Sequence, residues 1–165
     1  MKKFVACLLM ITLAFGIAGC NSSDIPEETT QISQESAAAS MTADEWIDFI
    51  ADKVPFDDTM TKVGAEQAKA VYGIYEEDGY TGDCALYIST MATPEEIAVF
   101  TADDALSLDD LYKKIEDRLS LQKESYADYA PQEVPKLESA VIKIVGDKII
   151  VVVSADNALA LEIIK

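Results

Sequence analysis

The chain has 165 residues, of which 30 are acidic, 13 are basic and none is histidine, for a formal net charge of -17. So acidic a chain repels nucleic acid and anionic lipid surfaces, both of which attract Lys and Arg. Without an imidazole, Ser-His and Cys-His catalysis and every His-containing zinc site are excluded.

Lys2 and Lys3 precede an apolar run from Phe4 to Ile17, which ends in Ala18-Gly19-Cys20 and the polar Asn21-Ser22-Ser23. A cationic start, an apolar segment and small residues at its end are the parts of a secretory signal. The run is short of the roughly 20 residues a stable span needs, and no basic stop-transfer cluster follows. Cleavage is therefore expected rather than a retained span. Cys20, directly after the small pair, resembles the lipobox acceptor, whose thiol receives a diacylglyceryl group before cleavage on its amino side. Two acyl chains hold a protein durably where one does not, so lipidated Cys20 suffices as an anchor. Residues 1–19 are thus read as a lipoprotein signal peptide, and the mature protein as membrane-anchored on the outer face of the cytoplasmic membrane. Loss of Lys2 and Lys3 takes its charge from -17 to -19.

Of the three cysteines, Cys7 leaves with the signal and Cys20 carries lipid, so Cys84 is left single and no intramolecular disulfide is expected. It lies in the apolar run Cys84-Ala85-Leu86-Tyr87-Ile88 and reads as a small buried hydrophobe. Residues 20–40 form a lipidated Cys and an acidic tether: Ser, Thr, Glu, Gln and Ala with almost no large apolar side chain, a composition that does not fold. As a flexible coil it spans about 25 Å. Residues 41–165 suit one domain.

Thr42-Ala43-Asp44-Glu45 matches a capping box and predicts a helix that carries Trp46, Phe49 and Ile50 inward and ends before Pro55. A second, shorter helix is predicted over Gly64 to Tyr72, with Gly73 at its end. Strands are predicted over Ala85–Thr90 and Ile97–Ala102. Leu108, Leu111, Ile115 and Leu119 follow at helical spacing, with Asp109–Lys113 and Asp110–Lys114 as i,i+4 pairs. Ser139–Val145 and Lys148–Ser154 read as a hairpin around Gly146-Asp147, and Asn157–Ile164 as the last helix. Ile149 to Val153 is apolar without alternation, the mark of a central strand covered on both faces.

Thr101-Ala102-Asp103-Asp104-Ala105-Leu106-Ser107-Leu108 lines up with Ser154-Ala155-Asp156-Asn157-Ala158-Leu159-Ala160-Leu161, each after an apolar hairpin and before a helix. Shared ancestry and convergence on good capping residues both account for the match. The expected fold is α+β: two N-terminal helices followed by two ββα units, a four-stranded, mainly antiparallel sheet with helices packed on it.

The lipobox, the acidic tether, Val71-Tyr72-Gly73-Ile74, Glu96-Ile97-Ala98-Val99-Phe100, Gln122-Lys123-Glu124-Ser125-Tyr126-Ala127-Asp128-Tyr129-Ala130-Pro131 and Val134-Pro135-Lys136-Leu137 together carry a resemblance. The chain resembles a family of small clostridial, Gram-positive membrane lipoproteins whose C-terminal domain has no assigned function. The resemblance covers Met41 to Lys165, and implies a membrane-anchored protein without supplying catalytic residues.

Ser120-Leu121-Gln122-Lys123 fits the S-x-x-K nucleophile pattern, but no K-T-G follows and the match is of the kind chance produces, so no catalytic residue is assigned. The acid clusters Asp57-Asp58, Glu76-Glu77-Asp78, Asp103-Asp104 and Asp109-Asp110 lack calcium-loop spacing, and Asp103 and Asp109 sit where helix starts are expected; no metal site and no cofactor are expected. Tyr126, Tyr129, Pro131 and Pro135 are the candidate interaction surface, a loop between helix and hairpin that either presents a semi-rigid aromatic face or packs over the core edge. The expected function is a non-enzymatic binding module whose partner is an envelope protein or a small ligand. The alternatives are a cell-wall-polymer hydrolase working through paired carboxylates and an assembly module that dimerises through a sheet edge.

Overall fold

The computed structural model describes residues 40–164. The signal, Cys20 and tether residues 21–39 lie outside the described residues. The elements follow in the order α1 (Ala43–Ala51), β1 (Thr61–Val63), α2 (Ala65–Val71), β2 (Cys84–Ile88), β3 (Glu96–Thr101), α3 (Leu108–Tyr129), α4 (Val134–Glu138), β4 (Val141–Val145), β5 (Lys148–Val153) and α5 (Asn157–Ile163), with short 3-10 turns at Glu76–Asp78 and Pro131–Glu133.

The architecture is α+β, but the sheet has five strands, in the order β1-β2-β3-β5-β4, and every neighbouring pair is antiparallel. The unexpected strand is β1, which pairs Thr61 with Ile88 and Val63 with Leu86 at the open edge. Two of its three residues are exposed, so it has no apolar alternation to mark it. Lys62 stands on this edge against Asp44 at 3.0 Å and Asp48 at 3.4 Å, a charge of the kind that deters strand addition from outside.

Strand β5 is buried at every position, and so is β3 from Glu96 to Phe100, because both are central strands with helices on each face. Their alternate residues serve two cores. Leu86, Ala98, Phe100, Ile149, Val151 and Val153 face α2, α3 and α4, where Ala68, Tyr72, Leu111, Ile115, Leu119 and Leu137 meet them. Ala85, Ile97, Val99, Ile150 and Val152 face α1 and α5, through Trp46, Ile47, Ile50, Ala160 and Ile164. Each fully buried side chain such as Phe100, Leu86 or Ile149 contributes about 1.5–3 kcal/mol of burial free energy.

The capping box of α1 forms as expected: the Glu45 amide donates to the Thr42 hydroxyl at 3.2 Å and the Thr42 amide to the Glu45 carboxylate at 2.8 Å. Gly146 takes a positive φ of 62° in the β4–β5 turn, consistent with a glycine at the first central position of a primed turn. Two further expectations are corrected. The segment from Tyr126 to Pro135 is not a loop between helix and hairpin: helix α3 runs on to Tyr129, so Tyr126 and Tyr129 stand on a helix, Pro131 opens a 3-10 turn and Pro135 lies in the first turn of α4. Its lysines do not pair backwards: Lys113 meets Asp117 at 2.8 Å, while Lys114 donates to the Gly73 carbonyl at 2.7 Å.

Two ββα units are present, β2–β3–α3 and β4–β5–α5, but the short α4 is inserted between them and their matched aspartates do different work. Asp156 caps α5 directly, accepting from the Leu159 amide at 2.9 Å. The cap of α3 is Ser107, four residues after Asp103. Asp103 instead binds two loops together, accepting from the amides of Thr81 (2.7 Å), Gly82 (2.9 Å), Ala105 (3.0 Å) and Leu106 (2.8 Å).

Candidate functional site

A cleft of about 500 Å³ opens between the C-terminal end of α2, the β2–β3 turn and the face of α3 that carries Lys114, Arg118, Gln122 and Tyr126. Those four residues recur at i and i+4, so a single stripe of α3 forms one wall.

The floor is a buried ion pair. Glu96, the first residue of β3, is fully buried, and its carboxylate accepts from the Tyr72 hydroxyl at 2.7 Å, from Arg118 Nε at 3.2 Å and from a second Arg118 nitrogen. Gln122 Nε2 approaches the same carboxylate at 3.4 Å. The Arg118 guanidinium also stacks over the Tyr72 ring, 4.9 Å from its centroid, and that ring meets Phe100 edge-on at 4.8 Å. Burial works against the Arg118 charge, but Glu96 outweighs it and raises its pKa. Burial, and then the Glu96 charge, push the Tyr72 phenol far up. A buried charge without a partner is costly, so the α2–β3–α3 corner is held by a pair that loses greatly if either member is removed.

The rim is apolar and aromatic. Tyr75, Met91, Leu121 and Tyr129, exposed by 58%, 71%, 67% and 57%, all line the cleft, which places most of the large exposed apolar side chains of the described residues at one site. Tyr126 and Tyr129 lie with ring centroids 4.8 Å apart and both donate to the Met91 carbonyl, at 3.1 and 3.3 Å. Met91 holds a left-handed φ of 72°, a strained conformation for a residue with a side chain. Burial, then the neighbouring Tyr129, raises the Tyr126 phenol.

Of the four residues expected to form an interaction surface, the structure brings Tyr126 and Tyr129 into this cleft and leaves Pro131, in the 3-10 turn, and Pro135, in α4, exposed outside its lining. Residues the sequence reading passed over supply the floor. Two signals pointed there: Arg118 is the only arginine in the sequence, and Glu96 heads the otherwise apolar run Ile97-Ala98-Val99-Phe100, where a charge demands a partner.

Elsewhere, Cys84 is a free, buried thiol near the Ala65 carbonyl at 3.8 Å, and burial raises its pKa. Ser120 is exposed on α3. Among the described residues no group of three or more Cys, Asp or Glu side chains is arranged to hold a metal ion, and no helix is long and apolar enough to cross a membrane.

No curated protein and no solved structure matches the chain. Residues 52–154, which include the sheet, α2, α3 and the whole cleft, match one domain family. The chain therefore belongs to the family described as Domain of unknown function (DUF4358).

Proposed function

We propose that this protein is an extracytoplasmic lipoprotein, tethered to the outer face of the cytoplasmic membrane through diacylglyceryl-Cys20, whose domain binds a ligand in the cleft between α2 and α3. The resemblance to small clostridial lipoproteins and the lipobox-like Ile17-Ala18-Gly19-Cys20 support the anchoring. The acidic stretch from Asn21 to Ser40 serves as a spacer between membrane and domain.

One observation carries the binding reading: Tyr75, Met91, Leu121 and Tyr129 are exposed together around a cleft of about 500 Å³. Concave sites of roughly 300–1,000 Å³ with apolar walls and a few convergent polar groups are where small ligands bind. Exposing four large apolar side chains at one place costs solubility, which a ligand offsets by covering them.

The hydrolase alternative would draw on Glu95 and Glu96, adjacent acids at the cleft floor. What weighs against it is that both are fully buried and already accept from several donors, so neither is free to take a proton from water.

Both halves of the proposal are open to direct test on the full chain. Cys20→Ser should release the protein from the membrane fraction, and retention there would count against the lipid anchor. With the protein in lipid nanodiscs and its methionine methyls labelled, a panel of small solutes and envelope peptides should yield ligands that shift Met91. Tyr129→Ser and Leu121→Ser should abolish those shifts while Leu161→Ser, at an exposed site on α5, leaves them intact. Ligands insensitive to the cleft variants would sink the reading.

A further inference from the structure

The cleft divides its polar groups unevenly. Its cationic donors are turned inward: Arg118 gives Nε and a terminal nitrogen to Glu96 and another to the Val71 carbonyl at 3.4 Å. Lys114 gives its ammonium to the Gly73 carbonyl at 2.7 Å and to Asp78 at 3.5 Å. The hydroxyl protons of Tyr72, Tyr126 and Tyr129 are committed to Glu96 and the Met91 carbonyl. Both cationic groups of the wall are thus neutralised by acids of the protein itself.

Beside the hydroxyls of Tyr75 and Ser125, which donate or accept equally, acceptors are what remain. Gln122 directs its amide nitrogen toward Glu96, which turns its Oε1 the other way, and among the described residues no donor reaches that buried oxygen. A buried carbonyl oxygen without a donor is costly; the half-buried Gln122 side chain lines the cleft, and a small turn of its amide brings that oxygen to a ligand N–H. The phenol oxygens of Tyr126 and Tyr129 keep lone pairs after donating to Met91. One turn away, the Asp117 carboxylate lines the same cleft and is engaged only in a surface pair with Lys113, whose side chains are 63% and 74% exposed. Exposed pairs of this kind exchange partners readily. Around these acceptors stand aromatic rings, whose faces attract cations, on a chain of net charge -17, which concentrates cations near its surface.

Resting on the reading of this cleft as a binding site, we infer that it takes a small organic cation: a protonated primary amine on an apolar body. The ammonium donates to Gln122 Oε1 and faces Asp117 and the tyrosine rings, while the body covers Leu121 and Met91.

Three isosteres with one body test this on the full chain in nanodiscs: 2-phenylethylamine, 2-phenylethanol and 3-phenylpropionate, with the Met91 methyl as the reporter and those of Met41 and Met60, outside the cleft, as controls. The amine should shift Met91 alone and bind at least tenfold more tightly than the alcohol, with the carboxylate weakest. Gln122→Leu should weaken the amine more than the alcohol and so narrow the preference between them to under threefold; Asp117→Asn, at an exposed position that does not touch the floor, should lower amine affinity about threefold. Equal binding of amine and alcohol, or tighter binding of the carboxylate, overturns the cation assignment while leaving the cleft a binding site. Binding seen only when the ammonium belongs to a lysine-containing peptide overturns the small-ligand assignment. No shift of Met91 by any of the three overturns the inference, and the wider ligand panel then decides the cleft reading separately.

Discussion

Glu95 and Glu96 are consecutive, both fully buried, and their side chains draw on separate sets of donors. Glu95 accepts from the amides of Asp57 (2.9 Å) and Asp58 (3.0 Å), from the Thr93 hydroxyl (3.1 Å) and from Lys136 (3.1 Å). Glu96 accepts from Tyr72 and Arg118. The entry to β3 therefore fixes two separate parts of the molecule: the loop after α1 and the short α4 through one carboxylate, and α2 against α3 through the next. The second of these ties sets the width of the cleft.

Removing Arg118 should expose how much that corner depends on its pair. Arg118→Met keeps most of the side-chain volume but leaves the buried Glu96 carboxylate with Tyr72 and Gln122 alone. Loss of one partner of a buried pair costs about 3–5 kcal/mol. Thermal unfolding of Arg118→Met should fall accordingly, and the double variant Arg118→Met with Glu96→Met should recover much of the loss, because no uncompensated charge remains. A double variant no more stable than the single one would show that packing, not charge, governs the corner.

Asp103 contributes to the pH dependence of stability. Partial desolvation pushes its carboxyl up, but the amides of Leu106, Thr81 and Ala105 outweigh that and hold its pKa down at about 2. In the unfolded chain an aspartate titrates near 3.9, roughly. A carboxyl with a depressed folded pKa stabilises the fold above its unfolded value and loses that contribution as pH falls through the folded one. Asp103→Asn should thus be less stable than the parent at neutral pH by about 2 kcal/mol, since its amide nitrogen faces donors. Between about pH 4 and pH 2 the difference in melting temperature should narrow as the parent is protonated too. A difference constant down to pH 2 would exclude charge as its source.

The fold was legible where period and capping act locally. Thr42 and Glu45 announce α1, the unbroken Ile149–Val153 run announces a central strand, and Gly146-Asp147 announces its turn. The length of α3 was less visible, although Tyr126 continues the stripe of Leu111, Ile115 and Leu119 seven residues on; polar Gln122 and Ser125 interrupt the apolar signal because they face a cleft rather than the core. β1 was invisible because three edge residues held by pairing with β2 need no apolar pattern. At the site, Tyr126 and Tyr129 stood out by composition. Their neighbours across the cleft did not, since the contact of Arg118 with Glu96 spans 22 positions and only folding brings the two together.

Gly82 marks a second tight place. A Cβ there would stand 2.3 Å from the Thr101 carbonyl oxygen and 2.6 Å from the Tyr80 ring. Neither can withdraw cheaply, because one is strand backbone and the Tyr80 hydroxyl donates to that same carbonyl at 2.8 Å. Gly82→Ala should destabilise by about 2 kcal/mol or more, within the range for overpacking. Proteolysis should then begin between Tyr80 and Asp83, and an unchanged melting temperature would mean that the loop shifts freely.

Met91 tests whether the cleft rim is under strain imposed by the tyrosines. Its left-handed φ of 72° costs about 1–3 kcal/mol for a residue with a side chain. That conformation turns its carbonyl toward the hydroxyls of Tyr126 and Tyr129. Glycine adopts the same φ without steric cost but loses more chain entropy on folding, so Met91→Gly should stabilise by about 0.5–1 kcal/mol net. The joint variant Tyr126→Phe with Tyr129→Phe removes both donors and should destabilise by about 1–2 kcal/mol. If the two hydroxyls hold the strain in place, the effects will not add: without them the β2–β3 turn relaxes by itself, and Met91→Gly then gains little. A double-mutant cycle in urea unfolding reads this coupling directly. Strict additivity would instead place the origin of the left-handed residue within the turn, where the Ser89 hydroxyl donates to the Thr93 carbonyl at 2.6 Å and the Ser89 amide to the Glu95 carbonyl at 3.0 Å.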